Sequence, residues 1–409
     1  MRLLRLVALL LLWSAPLADA AARTVTLPPP ADCGPTDGIE AAARALQPGD
    51  ELILGPGAFC QTGRRLIAVS GTAEKPILIR GSGVGRTVLT RPGKPTERHA
   101  FDGTEFRGAH LIIRGIHFRG GKRGLVFHGG AHHVTLEDSE VSHTANNGVT
   151  LNNGDTRHFV IRRNHIHHTG NLDRALGRTE GEGLYIGCND AKCIAHDHVI
   201  EDNRIHHLKA NGRGGNDGIE IKYGSYGNTV RNNVIHTIAP AFGNTKYPCI
   251  FAYGTLDRHQ DRPNIIEGNR MWGCGEAIQI VSDAVVRNNT ILDSQRGLAT
   301  YYHKQVPVQR NLRIEKNTFF GTRVDLQFGR QSRKPGRVWK PPPQNIVFAD
   351  NVIHGKGLKP LVTVDLPKGG GITIVDNAID DPSPAGLVIK ADPDGAIDAK
   401  AFVEAGLPN

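Results

Sequence analysis

The sequence predicts an all-β solenoid, a parallel β-helix with a short helical cap at its N-terminal end. Three observations predict it. The first is a recurring asparagine. The segments EDSEV, RRNHI, EDNRI, RNNVI, EGNRM, RNNTI, EKNTF, ADNVI and VDNAI run from residue 137 to residue 379, and eight of the nine carry Asn in register: Asn164, Asn203, Asn233, Asn269, Asn289, Asn317, Asn351 and Asn377. The second is the interval, 20 residues from Asn269 to Asn289, with longer gaps of 39 and 30 residues after Asn164 and Asn203 that hold the same core plus an insertion. A repeat at this period marks stacked coils. The third is alternation: VTLED, GVTLN and GIEIK place apolar residues at every second position. That is a strand period, whereas stacked helices need three-to-four spacing. Three short strands per turn put equivalent residues about 4.8 Å apart in successive coils. The asparagines then form an internal ladder at one sharp turn, where Asn tolerates left-handed backbone and its amide bonds the neighbours above and below.

The elements follow in order. Residues 1–20, MRLLRLVALLLLWSAPLADA, combine Arg2 and Arg5, an apolar run from Leu6 to Trp13 and the Ala18-Asp19-Ala20 site of a secretory signal. That run is too short to span a bilayer, and no later segment is apolar for long enough, so a soluble protein with no membrane span, secreted or periplasmic, is expected. Residues 21–60 read as a cap: Thr36-Asp37 start a helix through Leu46, stopped by Pro48-Gly49. A solenoid needs such a lid over its first coil. Residues 61–380 form the coils, and 381–409, rich in Asp, Pro, Gly and Ala, cover the far end. Six cysteines in an exported chain predict disulfides. Cys33 and Cys60 flank the cap, Cys188 and Cys193 close a small loop, and Cys249 and Cys274 lie about one coil apart.

The formal charge is +9, falling to +8 when Arg2, Arg5 and Asp19 leave with the signal. A basic exported protein meets something acidic, and an anionic polysaccharide is expected rather than nucleic acid, since aromatics are few near the basic segments and no nucleic-acid motif is present. A monomer is expected. Three insertions stand out: 170–182, 209–217 and the basic stretch 330–340, which ends before Pro341-Pro342-Pro343. Loops on one face of a solenoid build its binding site. The first two leave adjacent coils at the same point. Lys209, Arg213 and Trp339 in these insertions are expected to hold substrate, Trp339 as a stacking platform.

Aligning GVTLNN, GLYIGC, GIEIKYG, CIFAYG, AIQIVS and LATYYH puts Val149, Leu151, Leu184, Ile186, Ile219, Ile221, Ile278 and Ile280 inward. One outward column is then Thr150, Tyr185, Glu220, Phe251 and Gln279; the next is Asn152, Gly187, Lys222, Tyr253 and Val281. Glu180, Glu182 and Asp217 fall at the loop-to-strand junctions. A lysine among acids and aromatics on an exposed face suits β-elimination from a uronic acid polymer. That reaction needs a base beside the uronate carboxylate, stabilisation of the developing charge, and an acid for the leaving oxygen. Lys222 is the expected base, provided its pKa is lowered, Tyr253 the acid, and Tyr185 and Phe251 contact substrate. Glu182, Asp217 and Glu220 can hold Ca²⁺, which takes oxygen ligands. Histidines repeat at His167, His206 and His236 and again at His168 and His207. They read as stacking ladders, with His168 or His207 a candidate supplement to Lys222.

The run NDGIEIKYGSYGNTVRNNVI resembles the catalytic coil of β-helix polysaccharide lyases acting on pectate, alginate or chondroitin-type chains. Asp217-Gly218, Lys222 and Gly227-Asn228 match the order of the pectate-type group, and Ile219-Glu220-Ile221 matches half of the calcium-binding run of the alginate and chondroitin group. The resemblance implies a right-handed β-helix over roughly residues 75 to 380 and a lyase-like site. A glycoside hydrolase on the same fold, using carboxylates among Glu180, Glu182, Asp217 and Glu220, stays open, as does a non-catalytic carbohydrate-binding protein. The successive aspartates of β-helix polygalacturonases are absent from the strands aligned above, and the Asp-Pro-His-Asp type of motif of C5-epimerases is absent.

Overall fold

The computed structural model describes residues 21–92, 101–170, 180–210, 215–238, 247–328, 341–358, 360–366, 371–380, 385–391 and 402–404. The expected signal at 1–20, Arg213, Trp339 and most of the three insertions lie outside them. The chain winds as a parallel β-helix of three sheets, with 15, 12 and 13 strands among the described residues, every pairing between consecutive coils parallel. Each coil gives one strand to each sheet in turn, because alternating apolar residues bury one face of every strand and turn residues bend the chain between them.

The core is a stack of identical positions. Leu184, Ile219, Ile250 and Ile278 lie above one another in the second sheet, and Ile166, Ile205, Ile235 and Met271 in the third, all fully buried. Each buried aliphatic of this kind stabilises by roughly 1.5–3 kcal/mol.

The asparagine ladder is as expected in its bonding. The Asn233 amide donates to Asn269 Oδ1 at 3.0 Å and to the Ile200 carbonyl at 2.8 Å, while its own Oδ1 accepts from the backbone and side chain of Asn203, both at 3.0 Å. The same pattern continues through Asn289, Asn317 and Asn351 to Asn377. The left-handed backbone is not where the sequence put it. It belongs to the residue before each ladder asparagine, Arg163, Asp202, Asn232, Gly268, Asn288, Lys316, Asp350 and Asp376. That residue makes the corner and points outward. The asparagine after it can then turn its amide inward.

A second column holds the corner before the second sheet. A Cβ on Gly148, Gly183 or Gly218 would stand 2.7 Å or less from the carbonyl oxygen of Gly183, Gly218 or Cys249 in the next coil. Only glycine fits so close an approach. The cap region carries a helix, Ile39–Arg44, shorter than expected, with Gly38 at its N-cap. Asp37 accepts from the Ile39 N–H at the start of the helix with one oxygen and holds the fully buried Arg65 with the other. Residues 21–60 also supply the first strands of the solenoid, Thr24–Leu27 pairing with Glu51–Leu54. At the far end Leu387–Ala391 and Phe402–Glu404 still pair with the preceding coils. The disulfides join Cys33 to Cys60, Cys188 to Cys193 and Cys249 to Cys274, leaving no free cysteine.

Candidate active site

Five consecutive strands of the second sheet carry the site: Val149–Asn153, Leu184–Ile186, Ile219–Ile221, Pro248–Ala252 and Glu276–Ile280. Their register aligns Thr150, Tyr185, Glu220, Phe251 and Gln279 in one outward column. Lys222 follows Ile221 and Tyr253 follows Ala252, so the two stand side by side in the next column. The face is not open as the sequence suggested. Glu220 is 3% exposed, and Tyr185, Lys222 and Tyr253 are each 6% exposed. Part of the cover is the segment after Thr300. The alignment read LATYYH as a strand, but the strand ends at Thr300. The chain then turns over the face, setting the His303 ring 4.6 Å from Tyr253 and packing Val306 against Phe251, Tyr253 and Val281.

Lys222 is the hub. Its Nζ lies 2.5 Å from Glu220 Oε1 and 3.5 Å from Tyr253 Oη, over the rings of Tyr185 at 4.7 Å and Tyr253 at 4.9 Å. Tyr253 donates to Glu220 Oε1 at 3.2 Å, and Glu220 Oε2 is buried without a hydrogen-bond partner. Burial alone pulls the Lys222 ammonium down, but the carboxylate of Glu220, with Tyr253 and Tyr185, outweighs it and the net shift is upward. The lowered pKa expected of a lysine base is therefore not met in this state, because its nearest neighbour is an acid. Burial raises both tyrosines and keeps them protonated.

Beside this pair runs an edge column that the sequence showed only in part: Asn147, Glu182, Asp217, Pro248, Glu276 and Arg296. Gly148 N–H donates to the Glu182 carbonyl, Gly183 N–H to Asp217 and Gly218 N–H to Pro248, while Pro248 pairs with Glu276 and Glu276 with Arg296. Asn147 Nδ2 donates to Glu182 Oε2 at 2.7 Å. Gly181 N–H donates to the Gly215 carbonyl at 2.5 Å, so the described ends of the first two insertions lie side by side, as their common exit point required. Desolvation and then the Glu220 charge push the Asp217 carboxyl well above its ordinary range; Glu182 is raised by the same two causes. Asn147, Glu276 and Arg296 were legible after all. NGV, EGL and DGI, then EAI and RGL, repeat the same position before an inward apolar residue.

Oxygen ligands and excess buried negative charge suit a hard cation in donor chemistry. Among the described residues, however, the sets of three donors within 4.8 Å of one another are both histidine-rich, and Glu182, Asp217 and Glu220 are not one of them. These three carboxyls are electrostatic neighbours rather than a closed shell. The remaining expected residues are placed as follows. Phe251 stacks on Tyr253 at 4.1 Å. Lys209 is exposed where the second insertion begins, its N–H donating to the Thr169 carbonyl. His207 is not brought to Lys222. It takes left-handed backbone within the strand Arg204–Leu208 of the third sheet and stacks on His168 at 5.1 Å, exposed.

The sequence profile of a family described as a right-handed beta helix region matches residues 96–235 and 178–333, together more than half of the chain. No curated protein matches it in sequence. Among solved structures, an alginate lyase from Paenibacillus sp. str. FPU-7 is similar at 22% identity and a TM-score of 0.55, over 72% of this chain and 95% of that one. A mannuronic acid specific polysaccharide family 6 lyase from human gut microbiota is similar at 18% identity and 0.51, over 91% and 92%. The catalytic domain of an α-1,3-glucanase is similar at 14% identity and 0.54, over 97% and 70%. At these identities the likeness is one of fold.

Proposed function

The chain belongs to the right-handed β-helix family, and from that premise we propose that it is a polysaccharide lyase, secreted or periplasmic, cleaving a uronic-acid-containing polymer by β-elimination. One observation carries this reading: a buried lysine held between two tyrosine rings and a glutamate, on the outward side of the coils, with a phenol in reach of the same carboxylate. Export is supported by three disulfides, and among the described residues no helix is long and apolar enough to cross a membrane.

The chemistry follows from the charges. Elimination takes the proton on the carbon next to the uronate carboxylate, forms a carbon–carbon double bond and breaks the bond to the glycosidic oxygen, which must be protonated. In the resting protein Lys222 is an ammonium tied to Glu220. Burial, the largest single influence on Lys222, acts downward, and withdrawing the Glu220 field removes the largest of the charges that hold its pKa up. Glu182, Asp217 and Glu220, if drawn together, are the carboxyls that would hold a Ca²⁺ ion, whose positive charge would offset Glu220. Tyr253, protonated, is the group that gives its proton to the leaving oxygen. Lys209, Arg213 and Trp339 are proposed to guide the polymer.

The test is product chemistry on a panel of anionic polysaccharides, with and without chelator. Wild type should form unsaturated ends, and Lys222→Ala should form none while still folding, with a lower melting temperature because Glu220 loses its buried partner. Unsaturated ends from Lys222→Ala would end the proposal. A hydrolase reading has one observation in its favour, the raised pKa values of Glu182 and Asp217, which suit a general acid. Reducing ends without unsaturation would select it, and tight binding without turnover would select a binding protein.

A further inference from the structure

A second polar cluster lies outside this site, on the outward side of the third sheet. The strands His117–Arg119, Glu140–Ser142, His165–His167 and Arg204–Leu208 are consecutive there. Phe118, Val141, Ile166 and Ile205 point inward, so the residues on either side of each point out. The register puts His117, Glu140 and His165 in one column, and Ser142, His167 and His206 in the next. Glu140 Oε1 lies 3.1 Å from both His117 Nε2 and His167 Nε2. His165 Nε2 faces His206 Nε2 at 2.7 Å, and His117 Nε2 also reaches Ser142 Oγ at 2.8 Å.

We propose that Glu140, His165 and His167 form a binding site for a divalent transition-metal ion such as Zn²⁺. One ligand atom from each lies within 4.8 Å of the other two. Two imidazoles and a carboxylate are a donor set that zinc takes, and three protein ligands leave a position for water or an anion. The ligands come from two adjacent coils, so the ion would also clamp those coils together. Stacking accounts for His206, His236 and Trp272, whose rings sit 4.8 and 4.4 Å apart in sequence along the column. It does not account for a carboxylate placed between imidazoles. All cysteines are in disulfides, so no thiolate competes for the ion. The site is independent of the lyase reading.

The experiment uses the untagged full-length protein, stripped with chelator, titrated with Zn²⁺ by calorimetry and with Co²⁺ by visible absorption. One tight equivalent is expected, with tetrahedral Co²⁺ bands. Affinity should fall at least about tenfold in His165→Gln and in His167→Gln, since even outer-shell changes cost that much. His110→Gln, in the other histidine-rich set, should bind as wild type does. Metal-free melting curves of the variants establish that they fold. The proposal is overturned if wild type takes up no Zn²⁺ in the micromolar range, or if the His165→Gln/His167→Gln double variant binds as tightly as wild type.

Discussion

Replacing Asn269 by Ala tests the ladder that sets the register of every coil. Asn269 Oδ1 accepts from the Asn233 backbone N–H at 2.9 Å and from its amide at 3.0 Å. Asn269 Nδ2 donates to the Val230 carbonyl at 2.9 Å and to Asn289 Oδ1 at 3.0 Å. The substitution leaves the buried Asn233 N–H with no acceptor, which costs about 1–3 kcal/mol. The Asn233 amide keeps Ile200 and Asn289 Oδ1 keeps the Asn269 N–H, so these lost bonds cost nearer the low end, ~0.5 kcal/mol each. The expected loss is ~3 kcal/mol, a large part of a typical stability of about 5–15 kcal/mol. Asn269→Asp should lose more, because it sets an oxygen against Asn289 Oδ1. Asn288→Gly is the control. Asn288 is exposed at φ 56° and has no ladder amide, so glycine there should be neutral or stabilising. The assay is the urea midpoint under non-reducing conditions, with the slope compared across variants. A midpoint for Asn269→Ala within ~1 kcal/mol of the control would refute the claim that the ladder is a hydrogen-bond-saturated spine.

Three further outcomes are expected. Tyr253→Phe removes a phenol that touches Glu220 and Lys222; if it is the acid, turnover on the polymer identified in the screen should fall by about 10²–10⁴ with KM little changed, and a fall under threefold would remove it from the mechanism. His198 is fully buried, donating from Nε2 to Thr156 and accepting the Phe159 N–H at Nδ1, and burial lowers it from 6.5 to about 3. The unfolded state therefore binds a proton that the native state refuses. Stability should be lost as pH falls below 6.5, and thermal melts should show His198→Gln losing less over that window than wild type. Replacing both Cys249 and Cys274 by Ser opens a loop of sequence separation 25 and should cost ~3 kcal/mol. An unchanged melting temperature would show that the bridge adds nothing to the stacked coils it joins.

The fold was legible because a solenoid writes one rule many times. The asparagines gave the register, and strand alternation sorted Ile219 and Ile221 inward from Glu220 and Lys222 outward, as observed. Two things were hidden for physical reasons. Burial of the outward face depends in part on a non-repeating segment, 301–309, whose path no periodicity encodes. The charge state of Lys222 depends on Glu220 being its ion-pair partner at 2.5 Å, and sequence spacing cannot distinguish that contact from two side chains pointing apart. The left-handed corner was displaced by one residue because Asn is common both at corners and in ladders, and only geometry separates the two uses.

The glycines at 148, 183 and 218 have a consequence for how the site can be altered. They act as a fixed ruler. With no room for a methyl group at the corner, the coils bearing Asn147, Glu182 and Asp217 are held at one close approach. Retuning this site, by natural divergence or by an engineer, works most directly by exchanging side chains within columns of fixed pitch, or by rebuilding the insertions beside them.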